Sequence, residues 1–410
     1  MSEVEGVSVR RPGSSRAGGW PPDMTPNVSI REIGGAETFK ALRNEWNELV
    51  EADPSATVFQ TWEIQYHMWR FFEDGVRPVL LVIRDADGTL IGLAPFGSST
   101  TRIGGLGVQV LGFLAPRFVD YADVIIRATS APRAIDAIID WLDTNLSRWD
   151  VVRFGPLRED SHLWRLREEL ALRLGVKLTT ELAETSFSLR FEPGWTRYAD
   201  GLKPKRAKVL RHETKTLLSL DRGAYEAVRG PAEIDGALTH LFDFHQRRMG
   251  ERGERGAFPD PKVREEFRAL VQALSAQGRA RVHVIRSGAG ILAASCTFIF
   301  RGVWSFYQTG FDPAHAKLSP GTVSRALRID EAIREGATEC DFLRGDEAYK
   351  IRASNAERRL HVIDLRTRSW RRRPYDAWRW LRSQLSTSGA ARALYRRLRP
   401  KKVRPELLAD

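Results

Sequence analysis

The sequence predicts an α/β protein, α+β in arrangement, in which one mixed-sheet unit with flanking helices is used twice in tandem. Three observations predict it. Strand-turn-strand segments rich in β-branched and aromatic residues are each followed by a helix and a further short apolar strand. The segment DGTLIGLAPF (87–96) is echoed by GAGILAASCTF (288–298), and WDVVRFG (149–155) by ECDFLRG (339–345). At 410 residues the chain also exceeds what one hydrophobic core usually holds. The expected organisation is a disordered leader over 1–27, a first unit over 28–190, a second over 191–365 and a basic amphipathic tail over 366–410.

The leader is rich in Gly, Ser, Pro and Arg and poor in apolar residues. Phe39, Leu42, Trp46 and Leu49 then recur on one helical face, and a second helix follows near 62–72. Val79 to Arg84 and Leu90 to Phe96 flank the turn Asp85-Ala86-Asp87-Gly88, which makes a hairpin. A strand at 108–114, a helix at 131–146 and a strand at 150–154 complete the first unit. A helix over 161–174, a strand over 185–191 and a basic helix over 201–220 connect to the second. There, helices at 234–249 and 261–276 precede a meander of strands at 281–286, 291–300 and 303–311. Phe311-Asp312-Pro313 ends the meander because proline gives a ladder no donor. Ser319-Pro320-Gly321-Thr322 is a helix-start signature, and Val323, Ala326, Ile329 and Ile333 carry the helix to Gly336. Cys340 to Leu343 is a buried strand, which delivers Arg344, Asp346, Glu347, Tyr349 and Lys350 in quick succession.

The net charge of +12 is concentrated at the C-terminus, where 366–410 holds 14 Lys and Arg against three acidic residues. Interleaved Trp and Tyr make this tail a candidate for peripheral contact with an anionic membrane. A nucleic-acid partner is not expected, since the body carries no RNA-binding motif. No run is long and apolar enough to span a bilayer and no secretory h-region is visible, so the expected location is cytoplasmic, with peripheral contact at the inner face of the membrane. Cys296 and Cys340 lie in apolar strand contexts, as buried thiols rather than a disulfide. The eight His and two Cys form no ligand spacing, and no metal is expected.

The segments DADGTLIGLAPF, FVDYADVI, the basic helix Lys205 to Leu217, FHQRRMGERGERGAF, GFDPAHAKLSPG and DFLRGDEAYKIR resemble tandem GNAT-fold acyltransferases of the CelD (cellulose biosynthesis) type, related to Fem-type peptidyltransferases. The resemblance spans about residues 30–365. It implies transfer of an acyl group from acyl-CoA, acetyl-CoA being the simplest, to an amine or hydroxyl on a small molecule or glycan, in polysaccharide or cell-envelope synthesis. Two other readings stay open: a Fem-type transferase using aminoacyl-tRNA, and a non-catalytic scaffold of a polysaccharide-synthesis complex.

A GNAT phosphate loop presents amides at a helix N-terminus to the CoA pyrophosphate. The corresponding place here is Lys317-Leu-Ser-Pro-Gly-Thr322, where Lys317, Ser319 and the amides of Gly321 and Thr322 are the candidate donors. Arg102-Ile-Gly-Gly-Leu-Gly107 has the loop spacing but leads into a strand, and is expected to be a decoy. Tyr307 and Gln308 lie beside the expected thioester channel; core packing is the competing role for the tyrosine. Asp346 and Glu347 are candidate general bases if burial raises a carboxylate toward neutrality, with solvated turn residues as the alternative. Tyr349 is the candidate acid for the leaving thiolate, and Lys350 would pair with a carboxylate or orient an anion. His245, Arg248 and Arg344 are candidate substrate contacts, against a helix cap for His245 and a structural salt bridge for Arg344, echoing Arg153.

Overall fold

The computed structural model describes residues 28–71, 75–115, 118–251, 253, 256–288 and 290–387. The leader and residues 388–410 of the tail lie outside the described residues. The described residues form two compact units, one comprising 28–183 together with 360–387, the other Glu184–Arg359. The first unit is therefore assembled from two separate segments, which differs from the boundaries at 190 and 365 read from sequence.

In the first unit, β1 (Ser29–Ile33) leads into α1 (Ala36–Ala41), α2 (Arg43–Ala52) and α3 (Trp62–Arg70). These helices bury an aromatic cluster: Phe39 lies 5.2 Å from Trp46, and Trp62 stacks on Tyr66 at 4.5 Å. Each such pair contributes roughly 0.5–1.5 kcal/mol beyond its buried area. The indole N–H groups are satisfied, Trp46 donating to the Gln60 carbonyl at 2.7 Å and Trp62 to that of Phe39 at 2.8 Å. The antiparallel strands β2 (Val76–Arg84), β3 (Leu90–Ile103) and β4 (Leu106–Phe113) follow, with the short β5 (Ile125–Ile126) beside β3. The glycine-spaced segment 102–107 is the β3–β4 hairpin: Gly104 and Gly105 take φ of 54° and 86°, which glycine adopts without a Cβ clash, so no helix N-terminus faces a phosphate there. Then come α4 (Ala131–Asn145), β6 (Val151–Arg158), α5 (His162–Arg165) and α6 (Arg167–Arg173).

The strand β7 (Lys177–Arg190) carries the chain into the second unit, where its later residues pair with β12. The second unit continues with α7 (Pro204–Ser219), β8 (Ala224–Val228), α8 (Pro231–Glu251) and α9 (Pro261–Ala276). The meander β9 (Ala280–Ser287), β10 (Gly290–Phe300) and β11 (Val303–Phe311) follows, then α10 (Pro320–Arg334), β12 (Glu339–Arg344) and α11 (Ala348–Ala353). Its strand order is β7-β12-β11-β10-β9-β8, antiparallel except for the β11–β12 pair. The expectation of mixed α/β units with flanking helices holds.

The last strand, β13 (Ala356–Arg366), pairs Leu360–Leu365 with β6 and so extends the sheet of the first unit. The tail then forms α12 (Arg372–Thr387), which is docked rather than free. Tyr375 is fully buried against Val108, Val110 and Val151, and the buried Arg372 bonds the Asp364 carboxylate. Trp370, Trp380 and Leu381 stay exposed. No helix among the described residues is long and apolar enough to cross a membrane. Cys296 and Cys340 are free and buried, and burial pushes the Cys296 thiol up to about 12.

Candidate active site

The site of the second unit begins where its two parallel strands part. β11 and β12 pair only at Val303–Glu339, Trp304–Cys340 and Ser305–Asp341. Beyond that point β11 runs on to Phe311 and β12 to Arg344. A bulge explains the parting: between Cys296–Gln308 and Phe298–Ser305, the single residue Thr297 of β10 faces both Phe306 and Tyr307 of β11. The extra residue bends and twists the strand away from its neighbour. On the other bank, Leu343 has φ 63° and Gly345 φ 113°, and the register of β12 with β7 shifts between Asp341 and Arg344. Among the described residues no strand pairs with this edge of β11 past Ser305, which leaves a crevice between the two strands.

Behind the crevice lies α10, with two arginines one turn apart. Arg328 is 2% exposed. Its Nη1 donates to Thr297 Oγ1 at 3.2 Å, its Nη2 to Thr309 Oγ1 at 2.9 Å, and its guanidinium lies 4.0 Å from the centre of the Phe306 ring. Burial pushes its pKa down to about 10. Arg325 places its guanidinium 5.1 Å from the Tyr349 ring centre, and its buried Nε has no hydrogen-bond partner. Burial lowers its pKa too. Sequence reasoning missed both arginines because arginine at a helical position reads as solvated surface. The available signal was the row Ser324, Arg328 and Glu331 at spacings of four and three, carried by a helix that lies between two buried strands and so must bury more than one face.

The residues read as the phosphate end surround the start of α10. Ser319 adopts the left-handed conformation, φ 55° and ψ 41°, and begins α10. Its carbonyl accepts from the amides of Thr322 at 2.9 Å and Val323 at 3.1 Å. The Thr322 amide is therefore turned back into the helix and not toward a ligand, a correction to the expected donor set. Pro320 has no N–H, which leaves the amide of Gly321. A Cβ on Gly321 would lie 3.2 Å from the Phe311 ring, so glycine is what lets this strand end meet the helix. Arg248 holds its guanidinium 5.7 Å from the centre of that same ring. Lys317 is exposed on the preceding 3₁₀ turn.

The residues after β12 make the architectural contacts among those expected of them. Lys350 is 6% exposed, donates to the Arg344 carbonyl and lies 3.0 Å from Glu347 Oε2. It ties down the β12–α11 connection and does not reach toward a substrate. Asp346 and Glu347 are exposed, so the burial expected of a general base is not found. Tyr349 is 36% exposed, with its ring beside Arg325. Arg344 lies 3.7 Å from Glu184, as Arg153 lies 2.8 Å from Glu181; both partners are on β7. Tyr307 packs between Phe267 and Phe298, with ring centres at 5.7 and 4.7 Å, and belongs to the core. Gln308, next to it, is half-buried on the open stretch of β11.

His245 does not end its helix, since α8 continues to Glu251. Its Nε2 accepts from the Ala257 amide at 3.0 Å, which places the ring proton on Nδ1. Burial, reinforced by Arg248, pushes its pKa down to about 4. It is thus a neutral tether and not a charged cap.

Residues 204–351 match the family described as the Acetyltransferase (GNAT) domain. No curated protein matches the chain. Among solved structures, FemX aligns with a TM-score of 0.55 at 10% identity, covering 78% of this chain and 95% of that one. The C-terminal domain of a putative lysylphosphatidylglycerol synthetase from Agrobacterium fabrum gives 0.49 at 11% identity, covering 80% and 92%. A tandem GNAT protein from the clavulanic acid biosynthesis pathway gives 0.43 at 10% identity, covering 83% and 99%. At such identities these likenesses concern fold. The second unit has the GNAT acyltransferase fold.

Proposed function

We propose that this GNAT-fold chain is an acyltransferase whose reaction takes place in the crevice of the second unit, with acyl-CoA as donor and an amine or hydroxyl as acceptor. The observation that carries the proposal is the parting of β11 from β12 after Ser305. An extended thioester arm with amides of its own can add to the free edge of β11 as a short strand. Its carbonyl oxygen then meets backbone N–H groups that are fixed before reaction, so developing negative charge is stabilised without reorganisation.

The acceptor nitrogen or oxygen attacks the thioester carbon and loses its proton, the carbon–sulfur bond breaks, and the thiolate is protonated. Tyr349, at the mouth beside Arg325, is the proposed proton donor. Arg248, Ser319 and the Gly321 amide form the end nearest the donor's phosphates. Glycans are the acceptors to try first, as the CelD-type resemblance suggests. The exposed Trp370, Trp380 and Leu381, among arginines, support proposed contact with anionic lipid, which co-sedimentation with phosphatidylserine vesicles would test.

Calorimetric titration of the full chain with acetyl-CoA is expected to show saturable binding, and absence of binding for acetyl-CoA and longer acyl-CoAs would remove the donor assignment. A second reading, transfer from aminoacyl-tRNA, is favoured by the Thr322 and Val323 amides being occupied by the Ser319 carbonyl, which leaves a thin pyrophosphate cradle. Salt-sensitive tRNA binding with no acetyl-CoA binding would select it.

A further inference from the structure

Arg328 is almost completely buried, and Arg325 is half-buried three residues earlier on the same helix. Buried charges in proteins are normally paired, because an unpaired ion loses its hydration with no return. Elsewhere in this unit the buried carboxylates keep the rule: Glu339 accepts from Arg358 at 2.5 and 2.7 Å, and Glu331 from Arg281 at 2.6 Å. Among the described residues, neither Arg325 nor Arg328 has a carboxylate within ion-pair distance. The partners of Arg328 are two threonine hydroxyls, the Ser324 carbonyl and the Phe306 face, all neutral, and they occupy three of its five N–H groups.

The Arg325 Nε is buried and makes no hydrogen bond. Burial holds the Arg325 pKa down, and the nearby groups that add to this are the further cations Arg206 and Arg352. Arg206 has its own partner, Glu213 at 3.3 Å. Phe306 and Thr309, which Arg328 touches, lie on the open stretch of β11, and Tyr349, beside Arg325, follows β12. The two arginines therefore stand behind the place where the strands part.

From this juxtaposition we infer that Arg325 and Arg328 form a receptor for an oxyanion, a carboxylate or phosphate, carried by the acceptor. The inference rests on the crevice being the acyl-transfer site. A planar guanidinium with free N–H groups accepts either oxyanion through paired hydrogen bonds, and the low-polarity surroundings of Phe306 and Tyr349 strengthen that attraction. An acceptor so held would present its amine or hydroxyl at a fixed distance from the anchored charge, and neutral analogues would be discriminated against.

The experiment is a thermal-shift and calorimetric titration of the full chain with sodium acetate and with inorganic phosphate, at constant ionic strength, with and without saturating acetyl-CoA. At least one oxyanion is expected to bind saturably, and the stronger of the two identifies the class. Arg325→Gln is expected to weaken that binding tenfold or more, with Arg325→Lys recovering part of it and acetyl-CoA affinity unchanged. Arg325 makes no hydrogen bond among the described residues, so this variant keeps the test valid even if Arg328→Gln fails to fold. Equal binding by wild type and Arg325→Gln overturns the inference, as does failure of both oxyanions to bind. Displacement of the oxyanion by acetyl-CoA also overturns it, because the pocket would then serve the donor. Oxyanion binding in a protein that ignores acetyl-CoA leaves the receptor standing and removes only the CoA assignment.

Discussion

Lys350 is where a catalytic and an architectural role make opposite forecasts. Its ammonium, 6% exposed, donates to the carbonyl that ends β12 and lies 3.0 Å from Glu347. Lys350→Met keeps the length and apolar stem of the side chain and removes the donor. A charge-assisted hydrogen bond of this kind is worth about 1.5–3 kcal/mol, and the Arg344 carbonyl is left without that partner. The ion pair with half-exposed Glu347 adds little, about 0–1 kcal/mol. Relief from burying an ammonium offsets part of the loss, so the net is about 2 kcal/mol. In a unit of this size that lowers the melting midpoint by about 4–8 °C, read by differential scanning fluorimetry at fixed protein concentration. Acetyl-CoA affinity should change little, since the lysine does not face the crevice. An unchanged midpoint with turnover lost by more than a hundredfold would refute the reasoning and return Lys350 to the chemistry.

Two further outcomes follow from buried groups. His245 has a folded-state pKa of about 4, below the usual 6.5, so the unfolded chain binds its proton first and acidification destabilises the fold. The penalty begins as pH falls through 6.5, reaches about 2 kcal/mol near pH 5 and levels off below about 4; His245→Gln, which keeps an acceptor for Ala257, should flatten that part of a stability-versus-pH curve, and identical curves would contradict it. Tyr375 is fully buried and its hydroxyl has no hydrogen-bond partner among the described residues, so Tyr375→Phe should leave urea stability unchanged or slightly raised. Tyr375→Ala should cost about 3–5 kcal/mol, and an equal loss from both substitutions would show that the hydroxyl is engaged.

Local chemistry made much of the fold legible. Asp85 to Gly88 set the first hairpin and Ser319-Pro320-Gly321 the start of α10, because turns and helix starts depend on a few neighbouring residues. The destination of β13 was not legible: Leu360 to Leu365 alternate as a strand does, but nothing in that alternation says which sheet receives it. The bulge at Phe306 and Tyr307 is a matter of register between two strands, which neither strand encodes alone. Around α10, the backbone demands on Ser319 and Gly321 were legible because they are local. Arg325 and Arg328 were not, because their burial depends on what covers them. For Asp346 and Lys350 the sequence left two roles open, and burial decides between them: the lysine folds back onto its own strand's last carbonyl, and the carboxylate is exposed.

The return of β13 to β6 has a consequence for how the chain comes off the ribosome. β6 cannot gain this partner strand until more than 170 further residues have followed the first segment of its unit, so it waits with bare backbone groups while the later unit matures. A stop codon after residue 359 would thus spare the unit just synthesised and cripple the one finished long before, and damage near the C-terminus would surface as aggregation through an N-terminal strand.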